Sequence, residues 1–325
     1  MIISKTPYRV DLIGDGTDIG SFCERERGCI INAAIQRYIH LIIHPSYDQK
    51  IRIVCDDKTE IKENTDEVEN GRVKESLRKV GINKGVVIHT VSDSPTGIGL
   101  GGSSSFTVGL LNALYAYQGK TVGLERLAEE ASEIEIDILK EPIGRQDQYA
   151  AAYGGLNKME FINRRVKVSG LTSNNKIIKE IEDKFMLFYL GEQRKTSSIL
   201  ERQNKEMRES YRVFNSMKDM RNLADKIAEE IYFGRIKEFG ETLRKNWEIK
   251  KGLIQGITTP AIERYCELSF KFGAEGAKLA GAGGTGFLLV YAESEKHERI
   301  RDALKELKEC PIKFEKRGSR IVYNN

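Results

Sequence analysis

A glycine-rich segment, residues 97–102, most constrains the fold, because it lies between a predicted strand and a predicted helix. The β-branched run at residues 86–91 predicts the strand, and apolar residues at i, i+4 spacing from Ser103 onward predict the helix. Glycines let backbone N–H groups approach an anion, and the first N–H groups of a helix lack internal partners. This order therefore predicts a phosphate-binding loop. A helix N-cap formed by Ser103 to Ser105 is the alternative, although it explains neither the glycines nor Pro95.

Other glycine-rich nucleotide sites do not fit the surrounding sequence. Residues 97–102 match GxGxxG, but so do residues 281–286, so the pattern alone identifies neither site. A dinucleotide site needs an acid at the end of the next strand, whereas the next predicted element is a helix at residues 124–139. A Walker loop needs Gly-Lys-Ser/Thr, and a protein-kinase loop continues into a strand that carries a lysine. For residues 281–286, a tight turn between strands stays open.

The remaining pattern predicts a mixed fold in two parts. Short β-branched runs predict strands at residues 8–13, 39–44, 51–55 and 185–190. Helices are predicted at residues 28–34, 146–153 and 260–272, and a hairpin at residues 156–169 that turns at Asn163. After residue 174 the sequence becomes mostly helical and rich in charge. We therefore predict an α+β fold with a boundary near residue 170, and a length of 325 residues agrees with about two domains of roughly 150 residues each.

Composition excludes several classes of protein. The 52 Lys and Arg and 48 Asp and Glu residues give a net charge of +4 and alternate without a basic block, so we expect no nucleic-acid partner. The five cysteines are odd in number and contain no CxxC, which argues against a disulfide framework or a zinc site. No signal sequence is evident, and no apolar stretch approaches the roughly 18 residues of a membrane span. We therefore expect a cytoplasmic protein with no membrane partner.

Three motifs together resemble the signatures of the GHMP small-molecule kinases, which include galactokinase, homoserine kinase and mevalonate kinase. Residues 95–105 resemble the ATP-binding signature, residues 6–18 the N-terminal sugar-kinase motif, and residues 278–286 the C-terminal glycine motif. The resemblance implies an N-terminal mixed βα domain with a left-handed βαβ-type ATP loop, at residues 1–170. It also implies a C-terminal ferredoxin-like α/β domain at residues 171–325.

Within this family, residues 14–18, 144–155 and 191–200 are most similar to the bacterial D-glycero-D-manno-heptose 7-phosphate kinases. The resemblance implies ATP-dependent phosphorylation of the anomeric hydroxyl to the 1,7-bisphosphate, for nucleotide-activated heptose biosynthesis. Asp15 stands where those kinases have a glycine and is closer to the acid of galactokinases, whereas Gly16 replaces the galactokinase histidine and disfavours galactose. A kinase for fucose or an unphosphorylated hexose and a non-catalytic sugar and ATP sensor are the alternatives. The partners we expect are the sugar phosphate and, at most, a second copy of the chain.

The resemblance also implies which residues bind ATP and Mg²⁺. The expected nucleotide-binding residues are Pro95, Gly97, Gly99, Leu100, Gly101, Gly102, Ser103 and Ser104. Ser103 and Glu135 are the expected metal ligands. Glu135 lies on the apolar side of its predicted helix, where an unpaired carboxylate is unfavourable; an acid that reaches water from the edge of that side is the alternative.

Catalytic and acceptor-binding roles follow in the same way. Asp147 matches the carboxylate that faces the acceptor hydroxyl, and Arg9 matches the cation paired with it, although a lone Asp at a helix start is more often a cap. The expected acceptor-binding residues are Asp15, Thr17, Asp18, Arg194, Gly283 and Gly284. Arg194 would hold a substrate phosphate, since a guanidinium binds one bidentately. A solvated helix end is the alternative there, and an Asx turn is the alternative for Asp15 and Asp18.

Overall fold

The structure, a computed structural model, describes residues 1–55, 58–94, 97, 99–191 and 197–325. The strands are β1 (Ile2–Ile13), β2 (Gly28–Pro45), β3 (Ile51–Cys55), β4 (Lys58–Lys62), β5 (Val86–Ser92), β6 (Leu156–Ile162), β7 (Arg165–Gly170), β8 (Phe185–Tyr189), β9 (Gly276–Leu279), β10 (Phe287–Tyr291), β11 (Lys308–Cys310) and β12 (Arg320–Asn324). The α-helices are α1 (Gly20–Cys23), α2 (Gly71–Val80), α3 (Gly102–Tyr117), α4 (Leu124–Ser132), α5 (Gln146–Tyr153), α6 (Asn175–Asp183), α7 (Ser197–Glu209), α8 (Tyr211–Tyr232), α9 (Phe239–Lys251), α10 (Pro260–Lys271) and α11 (His297–Ala303). A π-helix, Glu133–Ile138, continues α4, and short 3₁₀ turns lie at Thr65–Glu67 and Ser294–Lys296. In the described part of the chain, no helix is both long and apolar enough to cross a bilayer.

The first sheet has eight strands built around β1 and β2. Its order is β12-β1-β2-β5-β3-β4, and β6 pairs with β2 and carries β7 at its other edge. The long strand β2 serves two neighbours, because its first part pairs with β6 and its last part with β5. β3 and β5 are parallel, whereas β1 and β2 are antiparallel. Helix α3 packs on β1 and β2, so its N-terminus lies beside the strand that carries Arg9.

The helix predicted at residues 28–34 is wrong, because these residues form the start of β2. Ile30, Ile31, Ala33 and Ala34 are all fully buried. A strand that is covered on both faces loses the alternation of apolar and polar residues, so periodicity does not separate it from a helix. The hairpin predicted at residues 156–169 is confirmed as β6 and β7, and Asn163 turns it with a left-handed φ of 54°.

The second sheet confirms the predicted ferredoxin-like arrangement. Its four antiparallel strands have the order β11-β8-β10-β9, which is 4-1-3-2 in chain order. Helices α7 to α10 lie between β8 and β9 in the chain, and α11 lies between β10 and β11. The chain then returns to the first sheet, where β12 pairs with β1. The division at residue 170 stays a prediction.

Capping residues explain where several helices begin and end. The side chain of Asn70 accepts a hydrogen bond from the backbone N–H of Val73 at the start of α2, and Gly81 ends that helix with a φ of 82°. Thr259 caps α10, and Pro260 occupies its first position, where a helix does not use the N–H that proline lacks.

Candidate active site

A cavity of about 410 Å³ lies where the two parts of the chain meet. Its walls come from β1 with the loop after it, from the first glycine segment, from residues 143–147, and from α7 and α9. The second glycine segment closes it at Gly281 and Ala282. The cavity therefore joins the predicted phosphate loop to the predicted acceptor residues.

Arg9 and Asp147 form the ion pair predicted for them. Arg9 is 5% exposed, and its Nε and Nη2 atoms donate to the two carboxylate oxygens of Asp147 at 2.6 and 2.7 Å. Its Nη1 donates to the carbonyl oxygen of Gly99 at 2.7 Å. Burial alone would lower the pKa of Arg9, but the charges of Asp147 and Asp11 outweigh burial and raise it. Arg9 is therefore a fixed cation that ties Asp147 to the glycine segment.

Asp18 lies beside this pair in a different environment. Its Oδ2 accepts a hydrogen bond from the backbone N–H of Gln146 at 2.9 Å, whereas its Oδ1 is buried with no partner among the described residues. Burial raises the pKa of Asp18 to about 7; the Gln146 N–H opposes the rise, and the charge of Asp147 adds to it. Residue 144 must be glycine, because a Cβ there would overlap Asp18 Oδ2. Asp18 thus lines the cavity while one of its carboxylate oxygens is buried, and its predicted role with the acceptor stays a prediction.

Asp15, by contrast, is held by buried cations. Lys278 donates to Asp15 Oδ1 and to Asp11 Oδ2, each at 2.9 Å. Lys250 donates to Asp15 Oδ2 and, at 2.6 Å, to the carbonyl oxygen of Gly281. Burial would lower the pKa of Lys278 and raise that of Asp11, but the opposite charges outweigh burial and shift each pKa the other way. Both oxygens of Asp15 are engaged, so its predicted role with the acceptor stays a prediction.

The two glycine segments contact each other backbone to backbone. A Cβ on Gly99 would lie 2.6 Å from the Ala280 carbonyl oxygen, and one on Gly281 would lie 2.6 Å from Gly99 Cα. Gly101 has a φ of 73° and is the N-cap of α3. The carbonyl oxygen of Leu100 accepts a hydrogen bond from the Arg9 N–H at 3.1 Å. The segment therefore presents the start of α3 to the cavity, as predicted for a phosphate loop.

Glu135 and Ser103 are the predicted metal ligands. Glu135 is fully buried on the π-helix and accepts hydrogen bonds from Ser104 and Thr107 at 2.7 Å, from Arg72 at 2.9 Å and from Gln148 at 2.5 Å. Ser103 lines the cavity one residue from Ser104. A hydroxyl and a carboxylate are ligands of the kind that Mg²⁺ prefers. Both carboxylate oxygens of Glu135 already accept hydrogen bonds, and Oε1 accepts one from the guanidinium of Arg72, so the metal site stays a prediction.

The other predicted residues lie away from the cavity or outside the described residues. Thr17 is fully buried, and its hydroxyl lies 2.7 Å from the Gly14 carbonyl oxygen, so it braces the loop. Gly283 and Gly284 pack against Ile257. Pro95 and Arg194 lie outside the described residues. The roles of these residues stay predictions.

The cavity wall also contains residues that were not predicted, among them Arg72 on α2, Gln203 on α7 and Lys250 on α9. Arg72 bridges Glu135 and Glu141, with a distance of 2.5 Å to Glu141. Each of the three lies on an ordinary amphipathic helix, where a polar side chain is expected to face water. No local pattern in the sequence distinguishes them, since their positions depend on how the two sheets are placed.

Comparisons with known proteins agree with this geometry. The family models for the GHMP kinases N terminal domain and the GHMP kinases C terminal match residues 70–155 and 220–310. D-glycero-alpha-D-manno-heptose 7-phosphate kinase from Campylobacter jejuni is 31% identical over 323 residues, which cover 94% of this chain and 93% of that protein. The bifunctional fucokinase/GDP-fucose pyrophosphorylase from Arabidopsis thaliana is 25% identical over 95% of this chain and 32% of its own length. The solved structure of a D-glycero-D-manno-heptose 1-phosphate kinase from Bacteroides thetaiotaomicron is similar with a TM-score of 0.80 and 26% identity, and the match covers 99% of both chains.

Proposed function

Because the chain belongs to the GHMP kinases and is a phosphotransferase that acts on a sugar hydroxyl, we propose that its substrate is D-glycero-D-manno-heptose 7-phosphate. In this proposal the γ-phosphoryl group of ATP is transferred to the anomeric hydroxyl, and the product is the 1,7-bisphosphate. The reaction takes place in the cytoplasm and supplies nucleotide-activated heptose biosynthesis. The two relatives named for this heptose, one compared by sequence and one by structure, support the choice of sugar.

The observation that carries the proposal is the Arg9–Asp147 pair at the junction of the glycine segment and the acceptor end of the cavity. Arg9 holds Asp147 by two hydrogen bonds and holds Gly99 by a third. One side chain therefore sets the position of the acceptor carboxylate relative to the phosphate loop. Phosphoryl transfer depends mainly on such positioning and on neutralisation of charge.

The chemistry follows from this placement. The anomeric hydroxyl donates a hydrogen bond to Asp147, which receives its proton as the sugar oxygen bonds to the γ-phosphorus. The bond from that phosphorus to the β–γ bridging oxygen breaks, and ADP leaves. The N–H groups at the start of α3 stabilise the phosphate charge. Mg²⁺, when bound, would be held by Ser103 and Glu135 and would neutralise the nucleotide phosphates.

A 7-phosphate requires a cation that is not already paired. Among the described residues of the cavity wall, Arg9 is paired with Asp147 and Lys250 with Asp15. Arg72 is paired with two glutamates. These pairs support Arg194 as the phosphate-binding residue, because it precedes α7, whose Leu200 and Gln203 line the cavity.

A turnover assay over phosphorylated and free sugars tests the proposal. We expect the wild-type chain to prefer the heptose 7-phosphate over the free heptose, fucose and galactose. Replacement of Arg194 by Ala should raise the KM for the heptose 7-phosphate by ~10- to 100-fold and leave the ATP KM unchanged, as expected for loss of a charge-assisted contact. Asp147→Asn should lower kcat by at least ~100-fold both with the heptose 7-phosphate and with a free sugar.

The controls separate the substrate from the reaction. A free sugar has no phosphate to lose, so its weak turnover should not respond to Arg194→Ala. Preference of the wild type for fucose, or equal damage to both acceptors by Arg194→Ala, would refute the heptose 7-phosphate and leave the kinase assignment intact.

A further inference from the structure

Gln203 is a buried polar residue in the wall of the cavity. It lies on α7, is 2% exposed and lines the cavity. Its amide has no hydrogen-bond partner among the described residues, and its Nε2 lies beside Gly16, which also lines the cavity. An amide at a cavity wall that is not engaged by a described residue is available to bind a polar group of a ligand.

The Gln203 amide lies beside Gly16, a residue without a side chain in the loop after β1. Gly16 has a φ of 90°, and a Cβ built on it would lie 2.8 Å from Gln203 Nε2 and 3.2 Å from Met217 Cε. A side chain at position 16 is thus excluded by the backbone conformation and by Gln203. Beside Gly16, therefore, α7 adds an amide to the carboxylates that the loop contributes to the cavity wall.

The next residue, Asn204, makes contacts that fix the position of α7 near Gln203. Asn204 Nδ2 donates to the carbonyl oxygen of Pro142 at 3.1 Å, and Asn204 Oδ1 accepts from the hydroxyl of Ser21 at 2.8 Å. These bonds tie α7 to the segment that leads into α5 and to α1. They therefore hold the part of α7 that carries Gln203 at the cavity, which Asp18 and Asp147 also line.

An amide offers N–H donors and a carbonyl acceptor in one plane, and a sugar hydroxyl can satisfy either. We propose that Gln203 determines acceptor specificity by binding a hydroxyl of the sugar other than the one that is phosphorylated. The proposal rests on the proposed function only in that the acceptor is a sugar. It does not depend on a 7-phosphate, because the amide is neutral.

Steady-state kinetics of Gln203→Met tests this role, since Met keeps the volume and removes the amide. With the sugar that the wild type prefers, we expect the acceptor KM to rise ~10- to 100-fold, while kcat and the ATP KM change less than about threefold. Gln203→Glu keeps an acceptor oxygen and removes the donor, so its acceptor KM should lie between those of the wild type and of Gln203→Met. Glu201→Gln, on the exposed side of α7, is the matched control and should behave as wild type.

Monodeoxy acceptors separate binding from a structural effect. The analogue that lacks the contacted hydroxyl should be used equally well by the wild type and by Gln203→Met, whereas every other deoxy analogue should retain the difference. The proposal is overturned if Gln203→Met leaves the acceptor KM unchanged, raises the ATP KM equally, or weakens all deoxy analogues alike. If Gln203→Met does not fold, the same comparison with Gln203→Glu decides. If the wild type prefers a free sugar, the heptose 7-phosphate is refuted as substrate, but the test of Gln203 can still be made with that free sugar.

Discussion

Asp18 and Asp147 show how two carboxylates in one cavity acquire different properties from their neighbours. Asp147 is one-fifth exposed and shares its charge with the guanidinium of Arg9. Asp18 is almost fully buried, and its carboxylate accepts a hydrogen bond from the neutral backbone N–H of Gln146. Its pKa of about 7, against an ordinary value of 3.8, reflects this burial.

The raised pKa means that the ionised form of Asp18 destabilises the fold. An acid whose pKa is higher in the folded state stabilises the fold below its unfolded pKa, and that advantage is lost as the pH rises to the folded pKa. For Asp18 the loss runs from about pH 4 to pH 7 and amounts to roughly 4 kcal/mol. We therefore expect Asp18→Asn to raise the Tm more at pH 8 than at pH 5, while it weakens acceptor binding.

Differential scanning calorimetry at the two pH values measures this effect. Asp219→Asn makes the same chemical change on an exposed side chain of α8 and should leave both Tm values unchanged. An equal gain for Asp18→Asn at pH 5 and pH 8 would contradict the role of ionisation.

For single residues, the motifs predicted some contacts of the site but not others. Their resemblance paired Arg9 with Asp147, which the structure brings together. The engagement of Asp15 by Lys250 could not be predicted, because the two residues are 235 positions apart and α9 carries no motif. The position of the Gln203 amide depends on the same long-range packing.

Among the elements, the two glycine segments form one structure although they are far apart in the chain. Their backbones meet at Gly99 and Gly281, so each segment limits the side chains of the other. The second segment also joins the antiparallel strands β9 and β10, as a tight turn would. The sequence predicted a strand, a loop and a helix around residues 97–102 because each of these elements has its own local pattern. No local pattern in the sequence indicates the contact between the two glycine segments.

Gly281→Ala should therefore disturb the phosphate loop from a distance. Its Cβ would lie 2.6 Å from Gly99 Cα and 2.9 Å from the Gly99 carbonyl oxygen, at a φ of 86° that disfavours alanine. We expect the Kd for ATP, measured by isothermal titration calorimetry, to rise at least ~10-fold, with a lower Tm. Gly123→Ala is the control, because a Cβ there meets nothing within 4 Å and its φ is −70°. ATP binding as in the wild type by folded Gly281→Ala would contradict contact between the segments.

At the scale of the whole molecule, buried charges and one strand join the two parts of the chain. Asp11 and Asp15 belong to β1 and its loop, Lys250 to α9 and Lys278 to β9, and all four are at most 3% exposed. β12 adds a second connection by pairing with β1. Length and motif order predicted two parts, but a five-residue strand at the end of the chain gives no sign of which sheet it joins.

Charge balance in this cluster leads to a prediction about stability. Two aspartates and two lysines sum to zero, so Lys278→Met leaves this group with one excess buried negative charge, and the remaining cations near it are Lys250 and Arg9, which lies 3.5 Å from Asp11 and is also paired with Asp147. Removal of one member of a buried ion pair typically destabilises a protein by about 3–5 kcal/mol. We expect a loss of this size in urea-induced unfolding of Lys278→Met. Lys245→Met removes a lysine from an exposed pair with Glu241 and should leave the midpoint unchanged.

The double variant Lys278→Met with Asp15→Asn distinguishes charge from packing. It restores a net charge of zero, with Lys250 still 2.6 Å from the Gly281 carbonyl oxygen and 3.9 Å from Asp11. If unpaired charge destabilises the single variant, the second substitution should recover part of the lost stability, although each substitution removes a hydrogen bond. If Lys278 acts mainly by filling space, the two losses should add. An additive loss in the double variant would therefore show that the balance of buried charge does not hold the two parts of the chain together.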